Sequence, residues 1–156
     1  MFPVPCSLFP LRPMTLRLPK AMVDQMIAQA LEELPNECCG IIAGKDGAAT
    51  KLYRARNAEA SPFRYSIHPL DLLRVEREAD ANGWEVLVIY HSHVASEAYP
   101  SATDIRLAQW PGSNPPVDLY PSAHYVLVSL KDRDAPVVRA FQIHGGVVAE
   151  VGLEAV

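Results

Sequence analysis

The sequence predicts a single α/β domain, a mixed β-sheet flanked by helices, and three observations carry that expectation. A chain of 156 residues with 49% apolar content holds one ordinary hydrophobic core and is short for two. Two segments repeat apolar residues at helical spacing. Between and after them lie short runs rich in β-formers, and one of these, Trp84 to Tyr90 (WEVLVIY), is almost continuously apolar, as a strand covered on both faces must be.

Taken in order, MFPVPCSLFPLRP carries four prolines and no basic segment ahead of its apolar residues, so it reads as a tail rather than a secretion signal. Residues 1–14 are therefore expected to be a Pro-rich tail and residues 15–156 the domain. From Pro19 to Leu34, Val23, Ile27, Ala30, Leu31 and Leu34 define the buried face of a first helix, with Pro19 suited to its start and Pro35 to its stop. Cys39 to Ala43 and Lys51 to Arg56 read as strands around the turn Gly44-Lys45-Asp46-Gly47, and Phe63 to Ile67 as a third. A second helix is expected from Pro69 to Ala81, burying Leu70, Leu73 and Val75 or Ala79 and ending at Asn82-Gly83. The strand Trp84 to Tyr90 belongs at the sheet centre, followed by a polar loop and a helix from about Ala102 to Trp110. Pro111 to Ser122 holds four prolines and is expected to be an irregular loop. Tyr125 to Leu130, Val137 to Ile143 and Val147 to Val151 complete the sheet through the turns Lys131–Asp134 and Gly145-Gly146.

Composition narrows the function classes. A formal charge of −4 argues against nucleic-acid or anionic-membrane binding, each of which favours a basic face. No run approaches the roughly 18 apolar residues a membrane-spanning helix needs. Three cysteines, two of them adjacent at Cys38 and Cys39, make a poor disulfide framework and suit a reducing cytoplasm. The absence of paired C-x-x-C elements leaves no structural cysteine-zinc knuckle.

The chemistry concentrates in YHSHVASEAYPSATD, residues 90–104, where the buried strand is expected to leave the sheet. Alternate side chains of an extended segment share a face, so His91 and His93 can present two imidazoles to one point while Ser92 turns away. Asp104, in the first turn of the next helix, would add an oxygen ligand and leave a fourth position for water, as a catalytic zinc site requires. A carboxylate beside such a water must still move its proton, and Glu37 is the candidate. Each part also has a plainer explanation: Ser101-x-x-Asp104 is a helix-capping pattern, and most glutamates are solvated acids. His68, His124 and His144 lack partners at ligand spacing and read as structural, while Cys38 and Cys39 are expected to pack against the sheet.

Glu37 followed by His91-Ser92-His93, seven residues, Ser101, two residues and Asp104 resembles the signature of the JAMM, or MPN-plus, zinc metalloproteases. That resemblance implies a JAB-like, cytidine-deaminase-like MPN fold over a catalytic domain at residues 15–156. It also implies one Zn2+ on His91, His93 and Asp104, Glu37 as the acid/base, and Ser101 helping to hold the oxyanion. More narrowly, Pro-Asn-Glu-Cys-Cys-Gly-Ile-Ile-Ala-Gly, Val-Ile-Tyr-His-Ser-His and Glu-Ala-Tyr-Pro-Ser resemble the bacterial members that hydrolyse ubiquitin-like sulfur-carrier adducts. The expected partner is then a β-grasp carrier ending in Gly-Gly, and the expected product free cysteine. Trimming of another ubiquitin-like protein, and a non-catalytic MPN scaffold, are the alternatives. Residues between Asn57 and Ile67 are expected to wall the substrate groove, Tyr99 to lie near the leaving residue, and the Pro-rich loop to be either a carrier contact or a surface insertion.

Overall fold

The structure, a computed structural model, describes residues 15–156; the expected tail at residues 1–14 lies outside them. In chain order the elements are β1 (Thr15–Leu18), α1 (Lys20–Glu32), β2 (Cys39–Lys45), β3 (Ala48–Ala55), α2 (Pro69–Asn82), β4 (Glu85–His93), α3 (Ala102–Leu107), β5 (His124–Ser129), β6 (Val137–His144) and β7 (Val147–Ala155). The strands form one mixed sheet in the order β1-β7-β6-β5-β4-β2-β3. Pairs β1/β7 and β4/β5 are parallel and the others antiparallel. The expected mixed sheet flanked by helices is thus the architecture found.

β4 sits between β5 and β2, which explains its continuous apolar run: both faces are covered. On one face Val88 and Tyr90 join Val126, Val128 and Ile42 beneath α1, whose Val23, Met26 and Ala30 are buried. On the other, Ile41 and Ala43 meet Val75 and Ala79 of α2, and Ile89 packs with Tyr125 and Ile143. The two-residue β2–β3 turn needs positive φ twice, and Asp46 (52°) and Gly47 (78°) supply it. At Gly40 a side chain is excluded for a different reason. A Cβ there would collide with the Tyr90 ring lying across it, and that ring reaches α1, where Tyr90 Oη donates to Gln29 Oε1 at 2.6 Å.

Several boundaries differ from expectation. The strand β1 is new, because four residues pairing in parallel with the chain's far end leave no local signal; that pairing also carries β7 on to Ala155. Phe63 to Ile67 is not a strand: only an Asn57–Ile67 bridge forms, and the Asn57 side chain takes the backbone partners a ladder would have used. Leu31, Leu70 and Leu73 are exposed. In α2 Val75 and Ala79 are buried as expected, and the stripe is completed not by Leu70 and Leu73 but by Asp71, which binds the Arg56 guanidinium and backbone N–H. The last helix, α3, stops at Leu107, and Ala108 and Trp110 then exchange backbone bonds with the returning Pro-rich loop. Among the described residues no helix is long and apolar enough to cross a membrane.

Candidate active site

The strand β4 does not end at Tyr90 but runs through His93, held by β5 pairs as far as His93–Ser129. Strand alternation then sets the division of labour. Tyr90 faces α1, while His91 and His93 face the opposite side, buried to 1% and 7% exposure. Tyr65 stacks on His91 with centroids 4.1 Å apart, which fixes the ring plane. His93 Nδ1 donates to the Glu97 carbonyl at 2.7 Å, so in the neutral ring the lone pair is on Nε2.

The α3 N-terminus brings the third group. Ser101 is its N-cap in a full capping box: Asp104 N donates to Ser101 Oγ at 3.1 Å and Ser101 N to Asp104 Oδ2 at 2.8 Å. The cap reading and the site reading therefore coexist, because the box aims Asp104 Oδ2 to 3.1 Å from Nε2 of both His91 and His93. The two Nε2 atoms are 3.2 Å apart.

Glu37 approaches from the chain entering β2. Its N–H donates to the Ser61 carbonyl (2.9 Å) and its carbonyl accepts from Asn57 Nδ2 (3.1 Å). Next to it, Cys38 N donates to Ser92 Oγ at 2.8 Å, which gives the serine between the histidines a structural task on the other face. Glu37 Oε1 lies 3.9 Å from His93 Nε2, and Oε2 is buried without a partner. Burial raises the Glu37 carboxyl to about 7, against the pull of His93. For Asp104, burial is outweighed by the two imidazoles, and it stays ionised well below the usual range. Burial lowers His91. It acts the same way on His93, but the Asp104 and Glu97 hydrogen bonds outweigh it and leave that imidazole raised.

A metal ion fits this donor set. Tetrahedral ligands about 2.0–2.1 Å from zinc stand roughly 3.3 Å apart, and the three atoms here form a triangle with sides of 3.1, 3.1 and 3.2 Å. Glu37 also brings an oxygen to within 4.8 Å of ligand atoms of both histidines. Its 3.9 Å separation from His93 sets it back from the triangle.

A sequence profile of prokaryotic homologs of the JAB domain matches residues 19–144. The chain belongs to this JAB-domain family, of the JAMM type. This JAMM protein is 38% identical over 131 residues to the CysO-cysteine peptidase of Mycobacterium tuberculosis, covering 83% of each chain. It is 34% identical over 76 residues to a desampylase of Pyrococcus furiosus, covering 48% of this chain and 54% of that one. Among solved structures, protein DSY2949 of Desulfitobacterium hafniense is 33% identical with a TM-score of 0.74, over 90% of this chain and 92% of that one.

Glu37, His91, His93 and Asp104 of the JAMM protein are thus buried side by side, and Ser101, itself exposed, is joined to them through its bonds to Asp104. Other expectations fall elsewhere. Tyr99 packs edge-on against Phe141, 5.4 Å between centroids. His68 caps α2 by accepting from Leu70 N, and His144 pairs with Asp118 of the Pro-rich loop at 3.1 Å. Since β5 runs parallel to β4 and starts opposite Val88, that loop enters the sheet at the end remote from His93. Cys38 and Cys39 are fully buried, with thiols that burial pushes up, and serve packing. Sequence reasoning placed the segment between Asn57 and Ile67 at the site but missed the stacking of Tyr65 on His91, the bond from Asn57 to Glu37 and the task of Ser92.

Proposed function

We propose that this JAMM-type peptidase uses one zinc ion to hydrolyse the amide after the C-terminal Gly-Gly of a ubiquitin-like sulfur-carrier protein, releasing cysteine for cysteine biosynthesis in the cytoplasm. His91, His93 and Asp104 would hold the ion, which when bound acidifies a water and polarises the scissile carbonyl. Glu37, poised near 7 by burial, accepts the proton of the attacking water and returns it to the leaving amine. Ser101 Oγ already accepts from Asp104 N, which leaves its O–H to donate to the oxygen on which charge develops. Glu97, through its carbonyl, keeps His93 in the ligating tautomer.

The observation that carries the reaction is the buried triangle of two imidazoles and one carboxylate, with a second carboxylate 3.9 Å away. The substrate half is supported by the 38% identity to CysO-cysteine peptidase. Similarity to the desampylase supports a second reading, removal of a ubiquitin-like protein from a conjugate.

Mass spectrometry of a carrier ending Gly-Gly-Cys, incubated with zinc-loaded protein and with Glu37→Gln, tests the proposal. Loss of one cysteine with the native protein alone supports it. Survival of the adduct despite stoichiometric zinc turns the target to conjugates, and failure to bind zinc removes the metal assignment.

A further inference from the structure

A cavity of about 480 Å³ opens beside the metal-ligand triangle. Pro35, Pro62, Phe63, Val94 and Ala95 form its apolar walls, and Glu37, His93, Ser96 and Ser101 complete the lining. Phe63 is 87% exposed, an unusual position for an aromatic ring. The loop backbone that carries it is fastened by hydrogen bonds. Asn57 accepts from Glu59 N and Ser66 N and donates to the carbonyls of Arg64 and Glu37. Phe63 N donates to Ser61 Oγ, and Ser61 O accepts from Glu37 N. The loop that presents Phe63 is thus fastened to the backbone of the acid/base residue.

From this geometry we infer that the cavity is the subsite for the side chain of the leaving residue, and that it selects apolar or thiol side chains over acidic ones, with Phe63 the specificity-determining contact. The inference rests on the proposed acid/base role of Glu37. A group that protonates the departing amine must stand beside the leaving residue, and Glu37 lies on this cavity's wall. On the other side of the scissile bond the two glycines have no side chains to fill such a volume. Five apolar walls favour an uncharged side chain, because a charge placed against them loses hydration without gaining a partner. A cysteine side chain is smaller than the cavity, so longer apolar side chains also fit.

Carriers ending Gly-Gly-X, with X as Gly, Cys, Leu, Met or Asp, test the inference when kcat/KM is measured for the native protein and Phe63→Ala. Cys, Leu and Met adducts should be cleaved at least about tenfold faster than the Asp adduct. Phe63→Ala should cost about tenfold on the Leu and Met adducts, mainly through KM, and less than about twofold on the Gly adduct. Equal rates for all X, or an equal loss on Gly and Leu adducts, overturns the subsite. Binding to zinc-loaded Glu37→Gln separates this from failure of the reaction itself. There the Leu adduct should shift the Val94 and Ala95 methyl resonances and the Gly adduct should not. Those shifts without any cleavage by the native protein would reject the proposed reaction and keep the pocket; their absence rejects the pocket.

Discussion

Asn57 Nδ2 donates to the carbonyl of Glu37 at 3.1 Å, across 20 residues of sequence, and so ties the candidate acid/base to the loop that covers the site. The same amide accepts from Glu59 N and Ser66 N and donates to Arg64 O. Asn57→Asp keeps the two accepted bonds and loses both donated ones. It should lower kcat by about tenfold with little change in KM, because a small displacement of a proton-transfer group slows chemistry more than binding. Faster hydrogen exchange at the Glu37 amide, with β4 amides unchanged, is the accompanying structural sign. Unchanged kcat would remove Asn57 from the positioning of Glu37.

Asp104 has two tasks that one substitution separates. Asp104→Asn retains a side-chain oxygen for the Ser101 N–H but loses the charge between the two imidazoles. The α3 start should survive, with near-native circular dichroism, while zinc affinity falls by at least about tenfold. Zinc should raise the unfolding midpoint of the native protein, since a ligand held only by the folded state stabilises it by mass action, and a chelator should reverse the rise. A variant that binds zinc as well as the native chain would place the third ligand elsewhere.

Tyr90→Phe should destabilise without touching the proposed metal ligands. It removes the hydrogen bonded to Gln29 Oε1 and leaves that buried oxygen unpartnered, a cost of about 1–3 kcal/mol. Each kcal/mol lowers the midpoint by about 2–4 °C in a chain of this size, which differential scanning calorimetry resolves. Gln29 Nε2 would still donate to Cys39 O, so β2 should keep its register.

Acid should weaken the fold partly through Asp71. The Arg56 guanidinium, helped by the Arg56 backbone N–H, holds its carboxyl down at about 2 against an ordinary 3.8. A carboxylate depressed on folding contributes stability that is present above its unfolded pKa and lost as pH falls through its folded one. The window is therefore about pH 4 to 2. Urea midpoints measured through it should fall less steeply for Asp71→Asn than for the native chain. Parallel curves would show that the pair carries no such linkage.

Much of this was legible in local pattern. Helical spacing located α1 and α2, the WEVLVIY run identified an interior strand covered on both faces, one place from the middle strand β5, and Gly145-Gly146 marked the β6–β7 turn. His91, His93, Ser101 and Asp104 lie within 14 residues, so strand alternation and a helix cap suffice to group them from sequence. Such signals are readable because period and turn chemistry act between near neighbours. The tertiary structure alone decided what depends on distant partners. Pairing with β7 made β1 a strand, and pairing with β5 extended β4 through both histidines. The Arg56–Asp71 contact chose the buried face of α2 in place of its leucines. Packing from separate segments also set Glu37 3.9 Å from His93, stacked Tyr65 on His91 and opened the cavity beneath Phe63. Their physical cause is pairing and packing against residues from 15 (Arg56–Asp71) to 137 (Thr15–Gly152) positions away, which no local window of sequence encodes.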